Sequence, residues 1–513
     1  MNDLLDIVVA RIYLVGAVAV AALAYLIFYV LRDPLSKVPG PWYTKWTSVV
    51  IKFHWLRGNR ASYQHSLHQK YGTYSPQNCV VMVETANMKC IMTGAVVRLG
   101  PNEVAVTNIE AVKKIYNTRE TFRKTSWYKD LSVASENVFN TNRTELHRRL
   151  RRLLSGSMSE TSLAAVAPQV QRTIDLMIKR VGEEMERRGA ADVIKWFLFM
   201  ATDVIGELSF GDSFRTLEIG EHSDYTKDLA ELGYLGAVRS AFPTLIAMAK
   251  YLPISYFRRP LRGTKNMIRY ADESITRYRN LLDSDPTSVK WTLFTKVFQD
   301  QDKGEGLSPV ELRSNVSAYI VAGSDSTAVT LTYLVWCVCR DPKVKAVLLA
   351  ELRALPDNFT IADLRDMSYL NAVIDETMRL YSGIQSALPR WVPESGDNIA
   401  GYWLPGGTTV CAQAYSMHRN PDVFPNPDVF DPSRWDMPTK EMKDSFMPFG
   451  SGARICIGLH LARMELRYAA ARFFLTFPEA KVSSLEGMND GDMVPKVFFF
   501  TEPKAKRCLI RRQ

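Results

Sequence analysis

The segment from Ser308 to Arg340 constrains this chain more than any other. Ser308-Pro309-Val310-Glu311 is a capping box with proline at the first helical position. An apolar pattern of helical period then runs to Arg340, where Asp341-Pro342 stops the helix and opens the next one. About thirty residues at roughly 1.5 Å each reach some 45 Å, enough to cross a whole domain. Yet its middle reads Ala322-Gly323-Ser324-Asp325-Ser326-Thr327. A glycine, an acid and hydroxyls at the centre of a buried helix each cost propensity or desolvation, which marks a functional site. The competing reading is a helix with one solvated face.

The rest of the chain supports a mainly α fold (α+β), a large helical domain with small β-sheets. Helical periodicity recurs in Val170–Arg188 and Met267–Leu282. Small hairpins are expected at Val96–Thr107, broken by Gly100-Pro101, and at Ile399–Val410, broken by Pro405-Gly406-Gly407. With 513 residues the length alone suggests three domains at about 150 residues each. No repeat, low-complexity stretch or Pro/Ser-rich linker divides the sequence, however, so residues 45–513 read as one domain. An apolar share of 47% and a charged share of 23% exclude disorder and a polytopic membrane protein. Seven cysteines, an odd number, are too few for a disulfide scaffold, so the thiols are expected to be reduced.

Residues 1–36 read as a membrane anchor. Ile12 to Leu31 carries no charge over twenty residues, which spans a bilayer core of roughly 30 Å as one transmembrane helix. Asp3 and Asp6 precede it while Arg32, Lys37 and Lys45 follow, which places the large C-terminal part in the cytosol. The alternative is a cleaved signal peptide, against which the acidic start and the length of the run argue. The sequons at Asn142, Asn315 and Asn358 should then stay unglycosylated. Residues 37–44, with Pro39-Gly40-Pro41-Trp42, read as a hinge between anchor and body.

Near the C-terminus, Phe449-Gly450-Ser451-Gly452-Ala453-Arg454-Ile455-Cys456-Ile457-Gly458 leads into the helical run Leu459–Phe477. A cysteine at a helix start meets unpaired N–H groups and a dipole that favour thiolate. The glycines admit something large and flat, and Arg454 suits a nearby carboxylate. Such residues fit a thiolate ligand of haem iron, with Arg454 on a propionate and Phe449 against the ring. A dinucleotide fingerprint fails because Ile455 stands where Gly or Ala is needed, and a zinc site lacks further close ligands. An inert buried cysteine is the remaining alternative.

The same ten residues resemble the haem-ligand signature F-x-x-G-x-R-x-C-x-G of the cytochrome P450 family at every fixed position. Further resemblances occur in the family's order from about residue 147 to 458. Glu376-Thr377-Met378-Arg379 matches E-x-x-R, and Arg434 the third member of that buried charge cluster. Ala322–Thr327 resembles the oxygen-activation motif A-G-x-D/E-T-T/S, with Ser326 where threonine is usual. His147 and Arg151, four apart, resemble the propionate contact W-x-x-x-R, with His for Trp; a solvated basic run is the alternative. Arg390 is a further propionate candidate by position.

The resemblance implies a haem-thiolate monooxygenase of the membrane-anchored microsomal type, most like fungal members that act in secondary metabolism on polyketides, terpenoids or alkaloids. It implies haem b on Cys456, contacts from Gly450, Gly458, Ala322 and Gly323, and proton delivery by Asp325, Ser326 and Thr327. Pocket-lining positions are Ala318, Ala322, Gly383–Leu388 and Phe498, mainly small or apolar, which fits a lipophilic substrate. Electrons are expected from NADPH through the flavin-containing cytochrome P450 reductase, with cytochrome b5 as a second candidate, on the endoplasmic reticulum membrane. The formal charge of +10, with basic stretches at His147–Arg152 and Lys504–Arg512, suits an acidic protein partner or anionic lipid; no nucleic-acid partner is expected. Two alternatives remain from other classes: a haem-thiolate isomerase or dehydratase, and a non-catalytic membrane haem-binding protein.

Overall fold

The computed structural model describes residues 11–512 except 19, 22–23, 25–26, 29–31, 73–79, 85–86, 92–94, 133–134, 249–250, 252–254, 285–291 and 303–305. Eight helices form the bulk of the body: α1 (Thr144–Ser155), α2 (Ala167–Arg188), α3 (Val193–Phe210), α4 (Asp224–Ala241), α5 (Ser255–Ser284), α6 (Pro309–Arg340), α7 (Ser368–Tyr381) and α8 (Leu459–Thr476). The long segment is thus one helix of 32 residues, about 48 Å. Its start is the expected capping box: Ser308 Oγ accepts from Glu311 N at 3.3 Å and Ser308 N donates to the Glu311 carboxylate at 3.0 Å. At its end Asp341 caps the following helix through Lys343 N and Val344 N.

α6 crosses the molecule and packs on α3, α5, α7 and α8, with α2 bundled against α3 and α8. The main core lies between these helices. α2 shows how the sequence pattern makes it: Val170, Ile174, Met177, Ile178, Val181 and Met185 recur at helical spacing and are all buried. Each such side chain contributes about 1.5–3 kcal/mol of burial. Gly323 in α6 serves the same core, because a Cβ there would stand 3.0 Å from Ile205 of α3.

A four-stranded sheet closes one side. It contains β1 (Val96–Gly100), β2 (Glu103–Val106), β3 (Arg390–Trp391) and, beyond the small hairpin of β4 (Asp397–Ile399) and β5 (Tyr402–Leu404), β6 (Thr409–Cys411), in the order β1-β2-β6-β3. The first expected hairpin is present as β1–β2. The second turns elsewhere than expected. Ala400 and Gly401, both at positive φ, make the tight turn between β4 and β5. The Pro405–Gly407 turn instead sends β6 parallel to β2 and antiparallel to β3.

The N-terminal region departs from expectation in two ways. Pro39–Trp42 is docked on the sheet and is no free hinge: Arg98 N donates to Pro39 O at 2.7 Å, and Arg98 pairs with Asp33. Gly40 is required there because a Cβ would sit 2.8 Å from Arg98 O. The segment 12–31 lies partly outside the described residues. Its described part is helical, with Ile12, Tyr13, Leu14 and Val15 exposed. Among the described residues, no helix is long and apolar enough to cross a membrane, so the expected transmembrane helix is not found there. Asn315, one of the three sequons, is fully buried in α6 and its amide donates to Glu311 O at 2.7 Å.

Candidate active site

The loop before α8 is folded by its glycines. Gly452, at φ +66°, lies so close to the neighbouring segment that a Cβ would overlap Tyr116 O, and Gly450 also has positive φ. Ala453 N donates to Asn117 O at 3.2 Å, Ile455 N to Gly452 O at 3.1 Å and Cys456 N to Phe449 O at 2.9 Å. Gly458 is the N-cap of α8. These bonds aim the Cys456 side chain at a deep internal cavity that Phe449 and Gly450 also line. The Cys456 side chain is exposed to the cavity, yet the protein packed around it pushes the thiol up, and the pull of the Gly458 N–H and Arg151 towards thiolate does not cancel it. The helix start alone therefore does not create a free thiolate. A coordinated metal cation would, since a bound ion lowers a ligating thiol outright.

One side of the cavity near Cys456 is basic. Arg151 on α1 donates to Ile455 O at 2.7 Å, directly beside the cysteine. Arg390, at the start of β3, donates to Tyr128 Oη at 2.8 Å. Arg454 donates through Nη1 to Thr141 O at 2.9 Å and through Nε to Glu120 at 2.5 Å. His147, one turn from Arg151, has its Nδ1 3.7 Å from the second Glu120 oxygen, too far for a hydrogen bond. Both atoms are buried without a hydrogen-bond partner. The basic run of α1 is thus divided: His147 and Arg151 face inward, whereas Arg148 and Arg149 form ion pairs with Glu145 and Glu311.

Three members of this wall escaped the sequence reading. Lys124 is buried between the rings of Tyr128 and Phe139 and donates to Phe139 O at 2.5 Å. Burial, with Arg390 and Arg454 nearby, holds its ammonium well below the usual lysine range. Glu120 is the buried carboxylate among these cations. Tyr128 orients Arg390. A concentrated positive wall beside a metal-ligating sulfur, with unsatisfied polar atoms, fits the iron and two propionates of haem b.

α6 forms the opposite wall. Ala322, Gly323, Ser326 and Thr327 line the cavity; Asp325 does not. It lies on another side of the helix, near Glu502 and Lys506, and burial pushes its carboxyl to about 8. Ser326 Oγ donates to Ala322 O at 2.8 Å, and Thr327 Oγ1 donates to Glu465 of α8 at 2.9 Å. Glu465, also missed in the sequence, lines the cavity without a cation, and burial raises it to about 8. Of the expected pocket positions, Ala318, Ala322, Gly383, Ile384, Ser386 and Leu388 line it. Gln385 and Ala387 do not: the Gln385 amide donates to Leu380 O, and Ala387 packs with Val97, Leu99 and Cys411. Phe498 packs on Tyr234 instead, and its neighbours Phe499 and Phe500 take the place expected for it.

Glu376, Arg379 and Arg434 come together as expected, but outside the cavity. The Arg379 guanidinium forks onto both Glu376 oxygens at 2.8 Å, and Arg434 Nε reaches Glu376 at 3.3 Å.

The chain matches the family profile Cytochrome P450 over residues 81–509. It is 42% identical to the cytochrome P450 monooxygenase tazI of Aspergillus terreus, over 94% of this chain and 95% of that protein. It is 38% identical to the cytochrome P450 monooxygenase orf2 of Aspergillus niger, over 97% of each. Among solved structures, the cytochrome P450DA heme domain superposes with a TM-score of 0.71 at 19% identity, covering 93% of this chain and 98% of that one, which shows the same fold. The chain is thus a member of the cytochrome P450 family, an oxidoreductase of the monooxygenase kind with haem b as its cofactor.

Proposed function

We propose that the protein inserts one atom of dioxygen into a C–H bond of a lipophilic small molecule made in fungal secondary metabolism. The observation that carries this reading is the Cys456 side chain opening into a cavity whose far wall is apolar, with Leu232, Val321, Ile384 and Phe499 among its residues. When bound, the haem supplies dioxygen activation and oxygen transfer to the substrate. The chain does the rest. Cys456 holds the iron, while Arg151, Arg390 and Arg454 take the propionates. Ala318 and Ala322 leave space on α6, and the apolar wall orients the substrate and excludes water. Ser326 Oγ presents a hydroxyl to the cavity, and Thr327 Oγ1 holds the Glu465 carboxyl beside it. Asp325 lies on another side of α6, where burial raises its carboxyl to about 8, so it keeps its proton at neutral pH.

Electrons come from NADPH through the membrane-bound cytochrome P450 reductase, with cytochrome b5 as an auxiliary donor; the charge of +10 favours such acidic partners. The N-terminal segment anchors the protein in the endoplasmic reticulum membrane, with the catalytic body in the cytosol. Exposed Ile12, Leu14 and Val15 support this, since apolar surface left in water forgoes about 25 cal/mol per Å². Removing residues 1–31, which keeps the Asp33–Arg98 pair, should move the protein from the membrane fraction to the supernatant.

The central test is the reduced carbon-monoxide difference spectrum. The wild type should show the thiolate-type Soret band and Cys456→Ala should lose it; a wild-type band at another position sinks the reading. Lipophilic metabolites are then screened for NADPH consumption with a product heavier by one oxygen. Turnover without NADPH would favour an isomerase or dehydratase.

A further inference from the structure

Glu120 belongs to no motif, yet the basic wall is built around it. Its backbone has φ +58°, the left-handed region that a glutamate rarely occupies. Such a conformation persists only where the surroundings over-determine it. Its side chain is 4% exposed and pairs with Arg454, itself 4% exposed. Without Glu120, the Arg454 guanidinium would keep only the Thr141 carbonyl as a protein partner.

Charge gives the second argument. Arg151, Arg390 and Arg454 face this part of the cavity as guanidiniums. Burial and neighbouring cations disfavour the charged forms of Lys124 and His147, whereas Arg454 and His147 favour the Glu120 carboxylate. The three guanidiniums counted against the Glu120 carboxylate leave a double positive charge. Haem b carries two propionates.

We propose that Glu120 is a positioning residue for the haem: its carboxylate fixes the Arg454 guanidinium beside His147 and trims the wall to the charge that two propionates neutralise. The inference rests on the haem-thiolate reading.

The test uses the full-length holoenzyme with Glu120→Gln and Glu120→Asp. Haem release to an excess of a haem-free globin and the ferric/ferrous reduction potential are measured for each. Glu120→Gln should release haem about tenfold faster, the scale of one lost charge-assisted hydrogen bond. Its potential should move upward, because a carboxylate near the iron favours the ferric state. Glu120→Asp keeps the charge and should hold the wild-type potential with intermediate release. Wild-type behaviour of Glu120→Gln in both measurements overturns the proposal, as does slower release. Faster release with an unmoved potential also overturns it, leaving only a packing role. If Glu120→Gln does not accumulate folded, Glu120→Asp decides: faster release at wild-type potential supports, and unchanged release refutes. The carbon-monoxide band of the wild type reports separately on the haem-thiolate reading, since its absence would strike that reading whatever the variants do.

Discussion

Two buried glutamates, Glu376 and Glu120, each bind arginine, and they differ in what is left over. Glu376 is saturated. One oxygen accepts from Arg379, Asp431 N and Arg434, the other from Arg379 and Trp435 Nε1. The remaining Arg379 donors meet the carbonyls of His418, Pro427 and Val429. Glu120, in contrast, leaves one oxygen without a hydrogen bond, facing an unpartnered His147 nitrogen. Buried polar groups are normally satisfied, so a closed network is architecture and an open one waits for a ligand.

The hardest way to break that contrast is Glu376→Ala. It leaves the fully buried Arg379 guanidinium uncompensated, at a cost of about 3–5 kcal/mol. Denaturant unfolding should show this loss in haem-free and haem-loaded protein alike. A loss confined to the haem-loaded form would mean that the cluster belongs to the cofactor site.

Glu465 is an intermediate case, a buried carboxyl with one partner and no cation. Its folded pKa of about 8 lies above the ordinary value of 4.5. Between those values the folded protein keeps a proton that the unfolded chain releases, so stability falls as pH rises. Glu465→Gln removes this titration. Melting temperatures of variant and wild type should nearly coincide at pH 5, with the variant pulling ahead towards pH 8. A constant gap would mean that Glu465 titrates as an exposed carboxylate does.

Arg454→Ala comes next and tests the open network. The loss of a charged hydrogen-bonding partner, about 1.5–3 kcal/mol, should appear in haem retention. The haem-free protein should also lose stability, because the buried Glu120 carboxylate is left without its guanidinium, but the haem-loaded form should lose more. Equal destabilisation of both forms would make the basic wall architecture after all.

These residues also show which parts of the site could be read in advance. Cys456, Arg454 and the Glu376–Arg379 pair lie within short motifs, and α6 announces itself through a cap and a period. Glu120 could not be found in that way, since its partner Arg454 is 334 positions away and only the tertiary fold joins them. Asp325 was misplaced because successive helical residues diverge by about 100°, so one motif points in three directions. Ser326, Thr327 and Asp325 consequently meet the cavity, Glu465 and the Glu502 side respectively. The second hairpin failed for a comparable reason. Pro405-Gly406-Gly407 is a strong turn signal, but the sheet partner of β6 is β2, some three hundred residues earlier, and pairing at that range outweighs a local preference.

Arg434→Ala should have the smallest effect and locates the keystone of the closed network. Arg434 contributes the longest contact to Glu376, at 3.3 Å, while Arg379 already provides two bonds at 2.8 Å. Its other donors reach carbonyls at the rim, among them Asn426 O and Val429 O, the latter still bound by Arg379. Removing Arg434 therefore orphans no buried charge, and the cost should be about 1 kcal/mol. The same denaturant unfolding that measures Glu376→Ala decides the matter. A loss as large as that of Glu376→Ala would show that Glu376 depends on both arginines, and that the network is closed by Arg434 instead of by the Glu376–Arg379 fork.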